Sequence, residues 1–439
     1  MRKTTRKSWA VAAGVAGIAL LATACSSGNG GGSSSETKTA NPDEKVTLKI
    51  QTFNEFGYKD LYTEYMKLHP NVTIVDDKAD KSDTARANVE TAISTGTVTE
   101  DIVAADVDWM PELIDHSDFF ADLGSIGASR WPDWKAKQAT DSSGKLIGAG
   151  TDSGPEAICY RKDLFQKAGL PTDRDKVAAL LGSWDEYFAT GEQFMNSPAG
   201  KAGAAWFDSI GALSQGMINQ LEAPFEDPSS GKITVLDANS PAKAVYDQLT
   251  SDKVLKQSAH LGQWTDPWTK AFTNDTKGAW ATQLCPPWMT QIIAGNAPDQ
   301  KNWDVAPVLP GGASNWGGSF LLVPKDGKHV QAATDLANWL TDPAQQAKVF
   351  VQYGNFPSAV AATTDATVTA KTDTYFGGAP TGKIFSDRFA AVAHQPFRGA
   401  HYFPINDALG KAYTRVDVDK TDNAANSWQK FETDVKNLS

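Results

Sequence analysis

The stretch Val46-Thr-Leu-Lys-Ile-Gln-Thr-Phe53, with the turn Asn54-Glu-Phe-Gly57 and then Tyr58-Lys-Asp-Leu-Tyr-Thr-Glu-Tyr-Met-Lys-Leu68, decides the fold. Apolar residues alternate over 46–53, the period of a strand with one face in a core. Tyr58, Leu61, Tyr62, Tyr65 and Leu68 then recur at helical spacing. His69-Pro70 stops that helix, and Val72-Thr-Ile-Val75 predicts the next strand. A helix over 82–94 leads through Thr95-Gly96 to a third strand, Asp101-Ile-Val-Ala-Ala105. Strands alternating with helices through short connections predict an α/β sheet covered on both faces.

Downstream the same alternation continues. Glu156-Ala-Ile-Cys-Tyr-Arg161 reads as a strand entering a short helix closed by Gly169. Ser183 caps a helix carrying Trp184, Tyr187, Phe188 and Phe194, and Glu186 completes a capping box. Residues 277–285 form an apolar strand ended by Pro286-Pro287. Residues 303–310 form a strand broken by prolines, hence an edge or a crossover. Residues 330–340 are helical, and Asp342-Pro343 starts another helix that Gly354 ends. The chain shows no internal repeats. Its length exceeds what one core needs, so two lobes are expected.

Upstream, Ser26 to Asn41 is Gly/Ser/Thr-rich without periodicity, a flexible tether. Before it lie a basic start (Arg2, Lys3, Arg6, Lys7), an apolar run from Trp9 to Ala22, and Leu-Ala-Thr-Ala-Cys ending at Cys25. That pattern is an export signal rather than a spanning helix. The leader holds four of the 41 basic residues and none of the 52 acidic ones, which leaves the mature chain at −15 against −11 overall. Such an acidic balance argues against nucleic acid or anionic lipid as partner. Past Cys25 only Cys159 and Cys285 remain. Pairing is open to them outside the cell, but their apolar runs (Ala-Ile-Cys-Tyr and Gln-Leu-Cys-Pro) favour two buried free thiols.

Catalytic signatures are missing: no Gly-x-Ser-x-Gly elbow, no phosphate loop, no His-Glu-x-x-His. Six scattered His and two Cys give no metal spacing, so neither metal nor cofactor is expected. Asp417, Asp419 and Asp422 lack the central Gly and terminal Glu of a calcium loop and read as a solvated acidic stretch. Of fourteen Trp, ten Tyr and nineteen Phe most are expected in core or lobe packing, and a few exposed ones in a cleft would suit flat-faced, polar-edged solutes such as pyranose rings. The chain therefore reads as a binder and not an enzyme. A secreted carbohydrate-active enzyme is the alternative class, and a receptor for an amino acid, peptide or polyamine is a third reading.

Tyr160-Arg-Lys-Asp-Leu-Phe-Gln-Lys-Ala-Gly-Leu170, Trp184-Asp-Glu-Tyr, Trp303-Asp-Val-Ala-Pro-Val-Leu-Pro-Gly-Gly-Ala-Ser314 and Trp316-Gly-Gly-Ser319 resemble extracellular sugar-binding lipoproteins of bacterial ABC importers. The likeness is to family 1 solute-binding proteins, runs from Val46 to beyond Pro357, and is strongest to the cellobiose or cello-oligosaccharide type. Xylobiose, chitobiose and maltose binders are close alternatives. The resemblance implies a two-lobe periplasmic-binding-protein (Venus flytrap) fold with three hinge crossings, near Glu156, Pro310 and Ser358. Residues 46–155 and 311–357 would form lobe 1, and 156–310 and 358–439 lobe 2. The segment ending at Cys25 resembles a lipobox, so residues 1–24 would be a lipoprotein signal peptide and 25–45 a tether from the lipidated Cys25. The partners implied are an oligosaccharide and the permease's transmembrane subunits. The receptor would be a monomer on the extracellular face of the cell membrane, touching it through the anchor only, with no nucleic acid.

Loops at strand ends then supply the expected site. Asn54, Glu55 and Phe56 leave the first strand; Asp106, Asp108 and Trp109 follow the strand ending at Ala105; Asp152 precedes the first crossing. Trp206 and Phe207 are expected as a stacking platform, with a core role as the competing reading. Trp288 is expected to face the ligand because Pro286-Pro287 turns it off its strand. Trp316, Gly317, Gly318 and Ser319 combine an indole with backbone N–H groups that approach hydroxyls closely. Arg398 is placed at the far sugar end, against a surface ion pair.

Overall fold

The computed structural model describes residues 44–79 and 81–438. The leader, Cys25 and most of the tether lie outside them. Eight strands form two sheets: β1 (Val46–Phe53), β2 (Val72–Ala79), β3 (Ile102–Asp106), β4 (Gly148–Gly150), β5 (Ala157–Arg161), β6 (Thr282–Cys285), β7 (Trp303–Ala306) and β8 (Ser319–Leu322). The first sheet has the order β2-β1-β3-β8-β4 and the second β6-β5-β7. β1 runs parallel to β2 and β3, whereas β8 is antiparallel to β3 and β4. β5 is antiparallel to both of its neighbours.

The opening stretch folds as its periodicity predicts. Leu48 and Ile50 are buried in β1, and Leu61, Tyr62 and Tyr65 of the helix Lys59–Leu68 pack against the same core. β2 runs four residues beyond the predicted Val75 because all eight β1 residues pair with it in register. Residues 277–281 are outside β6: their extension pairs with 203–205 as an isolated ladder, with Gly278 N–H donating to the Gly203 carbonyl at 2.9 Å. The helices over 184–196 and 343–353 carry the expected caps, with Ser183 Oγ accepting from Glu186 N–H at 3.2 Å and Gly354 at φ 84°, and the helix over 330–340 forms without a side-chain cap.

Each sheet is the heart of one lobe with its own apolar core. A third cluster lies around Cys159, Cys285, Trp280, Trp303, Phe356 and Phe385. Here the structure corrects the free-thiol expectation: Cys159 and Cys285 are disulfide-bonded, with Cα atoms 5.4 Å apart. The reason is register. Cys159 stands opposite Gln283, so Cys285 is its diagonal neighbour on the same sheet face, within cross-strand reach.

Chain passes between the sheets at β4–β5 and at β7–β8, and these two connections lie side by side. Pro155 bridges Asn315, Glu156 N–H donates to the Ser314 carbonyl at 3.1 Å, and Trp316 N–H donates to the Gly154 carbonyl at 2.8 Å. A third segment joins them where Asp152 bridges Pro357 and Ser153 N–H donates to the Phe356 carbonyl at 2.9 Å. The β7–β8 pairing falls at Ser314–Trp316, downstream of Pro310, because Leu309 and Gly312 first close a turn. Among the described residues no helix is long and apolar enough to cross a membrane.

Candidate functional site

One edge of the first sheet gathers most of the expected groups. β1, β3 and β4 end there, and β8, running the other way, begins there. Asp106 pairs in register with Ser319, Val107 N–H donates to the Gly318 carbonyl at 3.0 Å, and Ser319 N–H donates to Asp152 Oδ1 at 2.9 Å. Thr151 Oγ1 donates to the same Asp152 oxygen at 2.7 Å. Gly317 and Gly318 have φ 77° and 102°, and a Cβ on Gly318 would stand 2.8 Å from the Asp152 carbonyl oxygen. Only glycine lets β8 start this close to the Asp152 backbone.

The polar wall carries opposed charges. Arg398, reaching from the irregular segment before the helix Tyr402–Asp417, donates through Nε to Asp108 Oδ1 at 3.0 Å and lies 4.9 Å from the Tyr402 ring centroid. The pair joins Asp108 beside the first core to a helix packed in the second. Burial raises the Asp106 pKa, the Asp108 charge adds to the rise, and the hydrogen bond from Asp108 N–H opposes it. Lys135 belongs to this wall as well: burial pulls its pKa down to about 8 against the attraction of Asp152 and Asp106.

Beside the wall stands an aromatic face. Trp288 lies in the first turn of the helix Pro287–Asn296, as the two prolines predict. Its ring meets Trp316 edge-on at 5.1 Å between centroids and Trp264 at 5.9 Å with a 30° tilt, while its Nε1–H donates to the Trp316 carbonyl at 3.3 Å. Gly154 makes this contact feasible, since a Cβ there would meet that carbonyl oxygen at 1.9 Å. Trp264 is 59% exposed and sits at φ 67°, with His260 of the same loop at φ 59°. Non-glycine residues rarely hold this conformation unless their surroundings enforce it.

Two buried carboxylates enforce it. Asp208 accepts from Gln263 Nε2 and Trp268 Nε1, both at 2.9 Å, and from Ser209 N–H at 2.8 Å. Burial pushes its pKa up to about 6 in spite of these donors. Asp417 accepts from Ile210 N–H at 2.8 Å and Ser258 Oγ at 2.9 Å and holds His260 Nδ1 at 2.6 Å. The solvated reading of Asp417 is thereby corrected. It is 1% exposed, because the helix Tyr402–Asp417 ends against the loop that presents Trp264.

Other expected residues fall elsewhere. Trp206 and Phe207 are fully buried; the Trp206 ring is packed by Phe165, Tyr187 and Phe194, each 5.4 Å away. Their strand segment pairs beside Trp280 inside the second lobe, which makes them core and no platform. Trp109 is buried against Phe53 at 5.3 Å, ahead of the helix Met110–Asp115. Glu55 turns away, accepting from Gly57 N–H at 2.8 Å and pairing with Lys78 at 3.0 Å, and Asn54 beside it is exposed. Phe56 packs edge-on to Phe53 at 5.2 Å. Lys135 and Trp264 were missed. For Trp264 a signal existed, an indole placed directly before the Thr265-Asp-Pro helix cap; for Lys135 none did.

Comparison with known proteins places the chain. Residues 60–375 match the family described as bacterial extracellular solute-binding protein. An uncharacterised ABC transporter extracellular-binding protein of Pyrococcus horikoshii is 26% identical over 374 residues, covering 77% of this chain and 79% of that one. A crystal structure of an extracellular solute-binding protein of family 1 is 42% identical, with a TM-score of 0.80 over 89% of this chain and 99% of the other. The binding protein of B. animalis subsp. lactis Bl-04, solved with β-1,6-galactobiose, shares the fold at 20% identity and a TM-score of 0.68 over 88% and 96%. The family consists of transport receptors rather than enzymes. The chain belongs to the bacterial extracellular solute-binding proteins, as the solute-binding component of an ABC transporter.

Proposed function

We propose that this receptor captures an oligosaccharide outside the cell, cellobiose or a short cello-oligosaccharide as the first choice, and delivers it to its permease. The observation that carries the reading is the tryptophan face Trp264–Trp288–Trp316 set beside the Asp106, Asp108, Asp152 and Arg398 wall. Indoles stack on the apolar faces of pyranose rings, and carboxylates and guanidinium take the hydroxyl edges. The β-1,6-galactobiose bound to the B. animalis protein supports the same class of ligand. Ser319 and the Gly317-Gly318 backbone contribute close polar contacts to the same floor.

In this reading lobe 1 comprises 46–155 and 311–357, and lobe 2 comprises 156–310 and 358–439. The three paired segments serve as the hinge, and closure presents a matched face to the transmembrane subunits. Lipidated Cys25 holds the monomer at the outer face of the membrane, where the tether raises its concentration near the permease. Intact mass of the mature protein checks the anchor.

Calorimetry with cellobiose, xylobiose, maltose and chitobiose tests the ligand class. Binding with quenched tryptophan fluorescence is expected for at least one of them, and silence with all four sinks the sugar reading. A second reading, a small charged solute, draws on the ions in the wall. It predicts binding of arginine or spermidine in the same titration.

A further inference from the structure

Lys135 lies on the short helix Asp133–Lys137 and is 1% exposed, yet its ammonium makes no hydrogen bond. Its stem runs along Gly150, where a Cβ would come within 3.1 Å of Cε. The ammonium rests 3.9 Å from the Phe320 ring centroid and against Gly318, where a Cβ would stand 2.9 Å from Nζ. Two glycines thus clear a channel that delivers this cation to the start of β8. The charges facing it are the carboxylates Asp152 and Asp106 and the guanidinium of Arg398. Arg398 Nη1 is a second buried donor without a partner. Ammonium carries three donors, and leaving them unmet in a buried place is costly unless something else satisfies them.

The geometry points to Lys135 as a ligand-binding residue, donating from the wall of the strand-end site to hydroxyl oxygens of a neutral, hydroxyl-dense solute. The inference rests on the sugar reading above and names the side chain that reads the deepest ring. Neutrality follows from charge: burial raises the Asp106 pKa to about 7, so Lys135 and Arg398 largely balance Asp108 and Asp152 and little net charge is left for a charged solute to answer. Adjacent hydroxyls serve such a wall well, accepting from Lys135 and Arg398 while donating to the carboxylates. The depressed Lys135 pKa is in line with an ammonium whose hydration has been removed and not replaced.

Lys135→Met keeps the stem and removes the donors. In the ligand-free protein its Tm is expected to equal or exceed that of the parent. With the sugar of the panel that the parent binds best, affinity is expected to fall about 10- to 100-fold. A lower Tm makes Lys135 a structural counter-ion for Asp152 and Asp106 and overturns the inference, and so does unchanged affinity. Should the parent bind none of the four sugars, the sugar reading fails by itself. The ligand-free Tm comparison still decides whether Lys135 is held in reserve for a ligand.

Discussion

At the scale of single residues the site depends on which tryptophans are free. Fourteen are present, and composition alone does not separate them: Trp206, in Ala-Ala-Trp-Phe, is fully buried, whereas Trp264, in Gly-Gln-Trp-Thr, is 59% exposed. The exposed Trp264 reaches the core through Trp268, 5.4 Å between ring centroids, so in Trp264→Ala Tm should change little while sugar affinity drops about tenfold, the loss of one stacking surface of roughly 1.4 kcal/mol. Titration calorimetry beside a thermal scan measures both, and a drop in Tm without a change in affinity would refute the platform. The placement of Asp152 and Ser319 together at one end of the first sheet was legible because both lie at strand ends, where an α/β sheet gathers its loops. Lys135 was not legible. A lysine in a five-residue helix carries no periodic signal, and its burial comes only from glycines distant in sequence at 150 and 318.

At the scale of elements, the first three strands were readable to within a few residues, and the strands of the second sheet were readable with looser ends. β1 alternates cleanly, and its helix follows at once, so local pattern and tertiary pairing agree. β5, β6 and β7 are five, four and four residues long and fully buried, too short for a period to show. Their cysteines were misread for the same reason, since only the β5–β6 register brings Cys159 and Cys285 together across 126 residues. Quantitation of thiols in the denatured, unreduced mature protein should therefore find neither cysteine free. Replacing both by serine should lower unfolding stability by about 2–4 kcal/mol in denaturant titration, through the larger freedom of the unfolded chain.

At the scale of the whole molecule, the crossings enclose a buried acid. Glu156 is fully buried where the first crossing enters β5, accepts from Ser314 Oγ of the second, and leaves Oε1 without a partner. Arg388 Nε donates to the Glu156 carbonyl at 2.9 Å. Burial pushes the side-chain pKa up to about 7, with the Ser314 hydrogen bond and the Arg388 charge opposing the rise. A carboxyl raised in the folded state adds stability that is complete below its unfolded pKa and is lost as pH climbs through the folded value. The Tm of the parent should thus fall between pH 5 and pH 8 more steeply than that of Glu156→Gln, and parallel curves would exclude this role. Asp208 also carries a raised pKa, and its contribution is common to both proteins and cancels in the difference. The two-lobe plan was legible from chain length and alternation, and the resemblance put the connections near Glu156, Pro310 and Ser358; the paired segments fall at 152–156, 314–316 and 356–357, so the second is displaced by the turn closed by Leu309 and Gly312. Those pairings have an evolutionary consequence. In the proposed reading Asp152 and Trp316 belong at once to the surface that holds the solute and to the backbone pairing between the two sheets. A lineage that shifts to a new nutrient by altering this floor therefore re-tunes the resting posture of its receptor in the same mutational step.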